Sequence, residues 1–576
     1  MTYPKWAMEK LENKERFPFS HGTAATMSMN RFEIFVALQP GTRPVFNGSA
    51  AIVYDRTVIN AINFLQDQIS YLFENSQINE SPNANITSVD TTLATIARLG
   101  SGLSYSSTLN PPPASVAVPY TPFVSGGVPN GAAQGQTNFI ISQNLKDPYS
   151  ISLNAGVQQE LPGHVILKLN YVGRLGRRLL ADADAGQALD YLDTSSGQQM
   201  SAAFAAVTRQ LRAGGTPQNG LAAQPWFENI LPAGAGVANG FANNTSWVAS
   251  LIGQLGNRGD LADALVNLAG QTYNGNPILP LNVGLTSQFA ANVYLTNQGS
   301  SNYHGLLLTI NKNLSQGLRF DFNYTWSHSI DNASLSANNN SLFSNTGLIC
   351  TLLNLRTCRG SSDFDVRQEI SSNFTYDLPV GRGKQFLGTA PRWLNEAVGG
   401  WSLSGLPSYR TGLANNVFAD AFLASADNSS YAIFNGNKND LKTKINIDRS
   451  TNTVYGFAGG AAGATKALND FTGPVGFEYG QRNLFNGPGA FYFDAGLAKT
   501  FPIVGDKVNL LFRADAFNVF NHPVFQAPNL NIVTNASPFG QITGQITGSS
   551  AAQGGGGIAT TVDGSRVAQF SLRLEF

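Results

Sequence analysis

The stretch VAQFSLRLEF (567–576) decides the fold class. Its residues alternate strictly between apolar and polar, which is the period of a β-strand, over the roughly ten residues that a tilted strand needs to cross a bilayer. The apolar face predicts contact with lipid, and the polar face predicts contact with an aqueous lumen. The apolar positions are Ala568, Phe570, Leu572, Leu574 and Phe576, and the polar ones are Gln569, Ser571, Arg573 and Glu575.

The same alternation recurs upstream and predicts about eleven strands in all. It is clearest in Gly317–Ser327, Val366–Leu378 and Lys507–Ala516, and less clean in Phe491–Phe501 and His164–Gly173. The weaker candidates are Ser28–Leu38, Phe46–Asp55, Tyr149–Glu160, Tyr303–Lys312 and Trp401–Gly412, the last of which Pro407 interrupts.

The composition is compatible with a membrane barrel of many strands. Only 12% of the residues are charged and 42% are hydrophobic, yet no run approaches the roughly 20 apolar residues of a membrane helix. The net charge of zero gives no indication of nucleic acid as a partner. A large secreted β-protein has a similar composition, so composition leaves both classes open.

The connections between the predicted strands alternate in length. Tight turns at 161–163, 313–316 and 502–506 fall on one side, which we expect to be periplasmic, and long polar segments fall on the other. On the side of the tight turns, only the connection 379–400 is long. We therefore expect a non-barrel segment at 1–27 and a barrel over 28–576. The large extracellular loops are predicted at about 174–300, 331–365, 413–490 and 521–566, with helices over Gly197–Leu211 and Trp247–Leu268 in the first.

Several segments, taken in order along nearly the whole chain, resemble the barrel of TonB-dependent, Oar-like outer-membrane transporters. These segments are FVALQPGTRPVFNGSAAIVYDR (35–56), YVGRLGRRLL (171–180), SNYHGLLLTINKNLSQGLRFDFNYTWSHSIDN (301–332), SDFDVRQEISSNFTYDLPVG (362–381), GGWSLSGL (399–406), FYFDAGLAKTF (491–501), FRADAFNVFNHPVF (512–525) and QFSLRLEF (569–576).

The resemblance implies an all-β, antiparallel transmembrane barrel of roughly 22 strands with a plugged lumen. It also implies lipid, the barrel assembly machinery, the TonB system and an unidentified cargo as partners. The resemblance further implies a signal peptide, an immunoglobulin-like domain and a plug, none of which has a counterpart among the matched segments. We therefore expect a truncated product, a split gene or a mis-started frame.

Charged residues two positions apart lie on the polar faces of four predicted strands. They either line a cargo path and hold a plug by ion pairs, or fill a polar barrel interior as ordinary cross-strand pairs. The pairs are Arg319/Asp321, Arg367/Glu369, Arg513/Asp515 and Arg573/Glu575.

Cys350 and Cys358 flank TLLNLRT in a predicted outside loop. An oxidising location favours a disulfide between them, because a metal site would need further ligands nearby. The five histidines, His21, His164, His304, His328 and His522, have no ligand spacing. No nucleophile or phosphate-binding motif is present, so neither an enzyme nor a cofactor is expected.

Aromatic residues at the predicted strand ends indicate two membrane-interface levels. Trp401 and Phe501 mark the periplasmic level, where Lys499 lies in a lipid-facing register and is expected to extend toward the headgroups. At the same end, the resemblance gives the terminal strand a role as an assembly signal, carried by Phe570, Leu572, Leu574 and Phe576.

Three functions remain in competition: an energy-coupled transporter, a passive porin or adhesive outer-membrane barrel, and a secreted soluble β-protein. A porin requires a closed barrel with a charged inward loop and steady conductance. A soluble protein would be extracted without detergent.

Overall fold

The structure of the protein is a computed structural model. It describes residues 29–36, 44–54, 137–142, 144–184, 190–251, 265, 268, 271–280, 283, 291–334, 347–352, 354–422, 429–504, 508–533, 537–546 and 565–576. The predicted non-barrel segment 1–27 lies outside these residues.

One large antiparallel sheet dominates the fold, and eleven strands follow one another in it in chain order. We number them β1 to β11. Their bounds are Met29–Val36, Val45–Tyr54, Tyr149–Leu161, Val165–Asp184, Ala291–Ser315, Leu318–Asp331, Gln368–Asp377, Trp401–Arg410, Ala490–Val504, Val508–Phe517 and Val567–Glu575. Each strand predicted from alternation is therefore present, and the fold class is confirmed.

The pairing register keeps the two faces of the sheet distinct. On β10 and β11, Leu510 lies opposite Leu574 and Phe512 opposite Leu572, while Arg513 lies opposite Ser571. Because side chains alternate between faces, each apolar position stacks beside another apolar position along the sheet. One face is thus apolar across neighbouring strands, and the other is polar.

Where they are described, the connections after odd-numbered strands lie at one end of the sheet, which we call the short-turn end. The turn between β5 and β6 consists of Gln316 and Gly317, with φ of 55° and 77°. Positive φ at both positions is the geometry of a type I′ hairpin, whose twist matches that of the flanking strands. The connection at 378–400 is longer and contains a helix, Arg392–Val398.

The connections after even-numbered strands lie at the opposite end and include folded structure of their own. We call this set the head; it comprises the described parts of 185–290, 332–367, 411–489 and 518–564. Its helices are α1 Met200–Arg212, α2 Pro225–Ile230, α3 Ala235–Ala238, α4 Asn244–Leu251 and α6 Gly460–Asn469, with α5 being Arg392–Val398 at the short-turn end. Within the described part of the chain, none of these helices is long and apolar enough to cross a membrane.

Short strands and 3₁₀ turns complete the described structure. The strands are Thr137–Ile141, Thr272–Tyr273, Asn276–Pro277, Gly347–Leu348, Gly360–Ser361, Ala414–Asn415, Phe418–Phe422, Ser429–Tyr431, Ile433–Phe434, Thr443–Asp448, Thr453–Phe457, Phe471–Thr472, Phe485–Asn486 and Gln541–Ile542, and the 3₁₀ turns are Pro217–Asn219 and Lys438–Leu441.

Two strands differ from the prediction in length, and one contains an unexpected proline. β4 continues eleven residues beyond Gly173, and β5 begins twelve residues before Tyr303, so this hairpin extends into the head. Pro407 lies inside β8, and the β7–β8 pairing is interrupted between Ser371↔Ser408 and Phe374↔Gly405. The pairing is interrupted because proline has no N–H to donate.

Apolar cores hold the head together. In the largest core, Phe204, Trp226 and Phe227 of α1 and α2 are almost completely buried, and the Phe204 and Phe227 rings meet edge to face at 5.0 Å. Each such side chain contributes about 1.5–3 kcal/mol by burial. A second core surrounds Phe457 and Phe485. The head is therefore a packed structure and not a set of bare loops.

Candidate functional site

The polar face of the sheet carries seven of the eight charged residues predicted as pairs. The register aligns Arg319 with Thr375 and Asp321 with Asn373. The row of Arg319 and Thr375 continues across β8 to β11, where it includes Asp515 and Gln569. The seven residues are Arg319, Asp321, Glu369, Arg513, Asp515, Arg573 and Glu575.

Two of the predicted pairs are ion pairs within one strand. Arg513 Nε lies 2.8 Å from Asp515 Oδ2, and Arg573 Nε lies 3.5 Å from Glu575 Oε1. The arginine side chains are 55% and 75% exposed. Solvent-exposed pairs of this kind contribute at most about 1 kcal/mol.

Among the described residues, no ion pair joins Arg319 to Asp321 or Arg367 to Glu369, and the role of these four residues stays a prediction. Asp321 accepts a hydrogen bond from Asn311 Nδ2 at 2.6 Å instead of pairing with Arg319. Arg367 precedes the first residue of β7, so strand alternation does not fix its side chain on the face of Glu369. Its guanidinium lies 3.7 Å from the carboxylate of Asp365 instead.

A buried ion-pair cluster joins the strand ends to the head, and we call Asp331, Asp363 and Arg482 the rim cluster. Arg482 Nη2 lies 2.5 Å from Asp331 Oδ1 and 3.3 Å from Asp363 Oδ1, and the three side chains are 3–8% exposed. Arg482 also donates to the backbone carbonyls of Asp331 and Cys358, each at 3.1 Å. Burial lowers the pKa of Arg482, but the attraction of Asp331 and Asp363 outweighs burial and raises the pKa above its ordinary value.

A second polar group lies beside the rim cluster, on β6 and the segment before β7. Asp365 Oδ1 accepts a hydrogen bond from the backbone N–H of Ser329 at 2.7 Å, and its carboxylate lies 3.8 Å from His328 Nε2. Burial raises the pKa of Asp365 against the opposing effects of Ser329, His328 and Arg367. The register places His328 directly opposite His304, a pairing that no sequence spacing indicates.

The predicted cysteine pair lies within this region of the head. Cys350 and Cys358 form a disulfide, with Cα atoms 5.5 Å apart, and both are buried with Ala181, Ala183 and Tyr431. Arg482 donates to the carbonyl of Cys358, so the disulfide loop and the rim cluster form one structure. Among the described residues, no group of three or more His, Cys, Asp or Glu side chains is arranged to hold a metal ion.

Asp193 organises the entry to the helical part of the head. Its carboxylate accepts hydrogen bonds from the Ser196 hydroxyl, from Asn229 Nδ2 at 2.7 Å, and from the Ser195 hydroxyl at 2.7 Å. These hydrogen bonds hold the pKa of Asp193 well below its ordinary value. The loop before α1 is therefore fixed to α2 by an ionised carboxylate.

A cavity of about 560 Å³ lies on the head between the 443–457 hairpin and α6. That volume is in the range of small-ligand pockets. It is lined by Asn446, Ile447, Asp448, Arg449, Tyr455, Gly459, Gly460, Ala461 and Ala462.

At the short-turn end, the predicted role of Lys499 is wrong. Its side chain does not extend toward headgroups, because α5 covers it and leaves it only 3% exposed. Lys499 Nζ donates to the carbonyls of Glu396 and Ala397, the latter at 3.1 Å, and lies 5.3 Å from the centre of the Trp401 ring. A cation at the carbonyl end of a helix is electrostatically favourable.

The terminal strand exposes a continuous apolar row. Phe570, Leu572 and Leu574 are 73%, 68% and 48% exposed, and Phe576 is 93% exposed. β11 pairs with β10 on one side and is an edge of the described sheet. The role of this row as an assembly signal stays a prediction.

Comparison with known proteins gives one family. Residues 34–554 match the family described as outer membrane beta barrel domain. No curated protein matches the chain.

Three solved structures are similar to the chain at low sequence identity. The outer membrane transporter YddB from Escherichia coli is 9% identical with a TM-score of 0.32, and the match covers 92% of this chain and 38% of that one. The ferric-catecholate import receptor Fiu from the same species is 8% identical with a TM-score of 0.28, covering 89% and 32%. The siderophore receptor PiuA from Acinetobacter baumannii is 8% identical with a TM-score of 0.29, covering 95% and 35%. The chain thus spans less than two fifths of the length of these proteins.

Proposed function

The chain belongs to the outer membrane β-barrel domain family, and from this premise we propose that it forms part of the barrel of a TonB-dependent receptor that moves a cargo across the bacterial outer membrane. The membrane location follows from the family. The transport role rests on the resemblance of the barrel segments to TonB-dependent, Oar-like transporters. The TonB system would act on a plug held inside the completed barrel.

The contrast between the two ends of the sheet carries the proposal. One end has a two-residue turn at Gln316–Gly317, whereas the other carries a head with its own apolar cores and a buried ion pair at Arg482. A passive pore needs a lumen and a constriction, but it does not need a packed structure outside the membrane. A receptor does, because a preorganised surface binds its cargo at a lower entropic cost.

Within the head, we propose that the cavity beside α6 contributes to cargo contact. Arg449 and Asp448 supply one charge of each sign at its wall, and Ile447, which is 55% exposed, supplies apolar surface. Asp448 accepts a hydrogen bond from the Ser450 hydroxyl at 2.6 Å, and Arg449 is the cation of this wall with which an anionic group of the cargo would pair. We therefore expect a cargo with an anionic or polar group.

Uptake measurements in the native host test the proposal. Cells that lack the gene, cells that lack a functional TonB system and unmodified cells would be compared for uptake of labelled siderophores, glycans and peptides. The proposal predicts one class of cargo whose uptake is lost in both mutants. Uptake that depends on the gene but not on TonB, together with steady open conductance of the purified protein, would identify a passive porin.

A further inference from the structure

We propose that the connection between β7 and β8 anchors the barrel to anionic phospholipids at the membrane surface. The residues concerned are 379–400, here called the anchor segment, which contains α5. The inference rests on the proposed function in one respect, namely that the apolar face of the sheet meets lipid with the short-turn end toward the periplasm.

The anchor segment lies on the apolar face of the sheet. Lys499 is paired with Trp401 on one side and Phe512 on the other, and Phe512 is paired with Leu572, so these four residues form one row across β8 to β11. The C-terminal carbonyls of α5 lie on this row. The segment therefore covers the lipid-facing surface where the strands leave the membrane.

Two side chains of the sheet fasten α5 in that position. Lys499 donates to the carbonyls of Glu396 and Ala397, and Trp401 Nε1 donates to the carbonyl of Ala397 at 3.0 Å. Within the segment, Asn395 Oδ1 accepts a hydrogen bond from the backbone N–H of Arg382 at 2.6 Å. These bonds make α5 part of the barrel wall, although it has only seven residues.

The anchor segment exposes three large apolar side chains. Trp393 is 73% exposed, Phe386 56% and Leu387 51%. The backbone presents Phe386 in a closed turn, because Phe386 N–H donates to the Pro379 carbonyl and Gly381 N–H donates to the Phe386 carbonyl, each at 2.9 Å. Large side chains held outward in this way suit the headgroup region, which accepts amphipathic aromatic rings.

The net positive charge of the anchor segment indicates which kind of lipid this surface would bind. Arg382, Lys384 and Arg392 are exposed, and the single acidic residue is Glu396. Arg392 is 90% exposed and lies 3.9 Å from Glu396. Arg382 and Lys384 are exposed as well. Basic residues around exposed aromatic ones match the phosphate and acyl-chain boundary of an anionic leaflet. The surface continues the lipid-facing side of the sheet, so the partner is an anionic phospholipid.

Fluorescence quenching in vesicles tests the proposal on the full chain. The chain is reconstituted into phosphatidylcholine vesicles that contain a small share of brominated phosphatidylglycerol or of brominated phosphatidylcholine. The difference between the native protein and Trp393→Phe reports the quenching of Trp393 alone. We expect brominated phosphatidylglycerol to quench Trp393 at a concentration at least about tenfold lower, since each nearby basic residue favours an anionic surface about fivefold.

A charge-neutralised variant and a matched control complete the test. Changing Arg382, Lys384 and Arg392 to Gln should remove the preference for phosphatidylglycerol, whereas changing Lys438, Lys442 and Lys444 of the head to Gln should leave it intact. Resistance to alkaline extraction reports membrane integration separately. Integration without a phosphatidylglycerol preference would overturn the anchor, whereas extraction of the native chain by alkali from the outer membrane of its own host cells would overturn the proposed function itself.

Discussion

Replacing Arg482 with Met removes the cation of the rim cluster while keeping an apolar chain of similar length. Asp331 and Asp363 then stay buried without a counter-charge, at 3% and 8% exposure. Removal of one partner from a buried pair costs about 3–5 kcal/mol. We therefore expect the local unfolding free energy of the rim to fall by about that amount, which is an acceleration of amide exchange on the order of 10²- to 10⁴-fold.

Hydrogen exchange followed by mass spectrometry measures this change in peptides that cover 325–334 and 355–365. Arg513→Met is the matched control, because Arg513 also pairs with an aspartate at 2.8 Å but is 55% exposed. It should change local protection by no more than about 1 kcal/mol. Equal losses of protection in the two variants would show that burial does not strengthen the ion pairs of the rim cluster.

Three further predictions concern the head and the short-turn end. Changing Cys350 and Cys358 to Ser should destabilise the disulfide region by about 2–3 kcal/mol, as judged by urea-dependent proteolysis, because the bridge closes a loop with a separation of 8 residues; alkylation of the unreduced native protein should add no mass. Since hydrogen bonds lower the pKa of Asp193 in the folded head, its stabilisation is present above the unfolded value near 3.8 and is lost as the pH falls below that value. Asp193→Asn should therefore lose protection near α1 at pH 6, and the difference from the native protein should shrink below about pH 4; a difference independent of pH would contradict this. Lys499→Met should loosen α5 and speed tryptic cleavage at Arg392 by about tenfold, since the Glu396 carbonyl loses its charged donor and the Ala397 carbonyl keeps only that of Trp401, while cleavage at Lys438 should not change.

The strands could be predicted from the sequence because membrane strands need alternating side chains over a fixed length. This rule located β6, β7, β10 and β11 to within a few residues. It ended β4 too early, because residues after Gly173 rise out of the apolar layer and pair with β5 without needing an apolar face. The turn predicted at 313–316 is present but shifted to Gln316–Gly317, because β5 continues to Ser315.

The rim cluster could not be predicted, since its members are far apart in the chain. Arg482 lies 151 residues from Asp331, and a polar loop offers no periodicity that would bring the two together. Lys499 shows the same limit. Its register is lipid-facing, but the helix that covers it begins more than a hundred residues earlier. Only contacts across the fold decide whether such a charge meets headgroups or helix carbonyls.

The proposed orientation of the sheet, with the head outside the cell and the short-turn end in the periplasm, can be measured by epitope accessibility in intact cells. One epitope is inserted in the head at the 449–452 turn, and another in the turn at Pro162–Gly163 of the short-turn end. We expect antibody to bind the first epitope on intact cells and the second only after the outer membrane is permeabilised. Binding to the Pro162–Gly163 epitope on intact cells, with the head epitope protected, would contradict it.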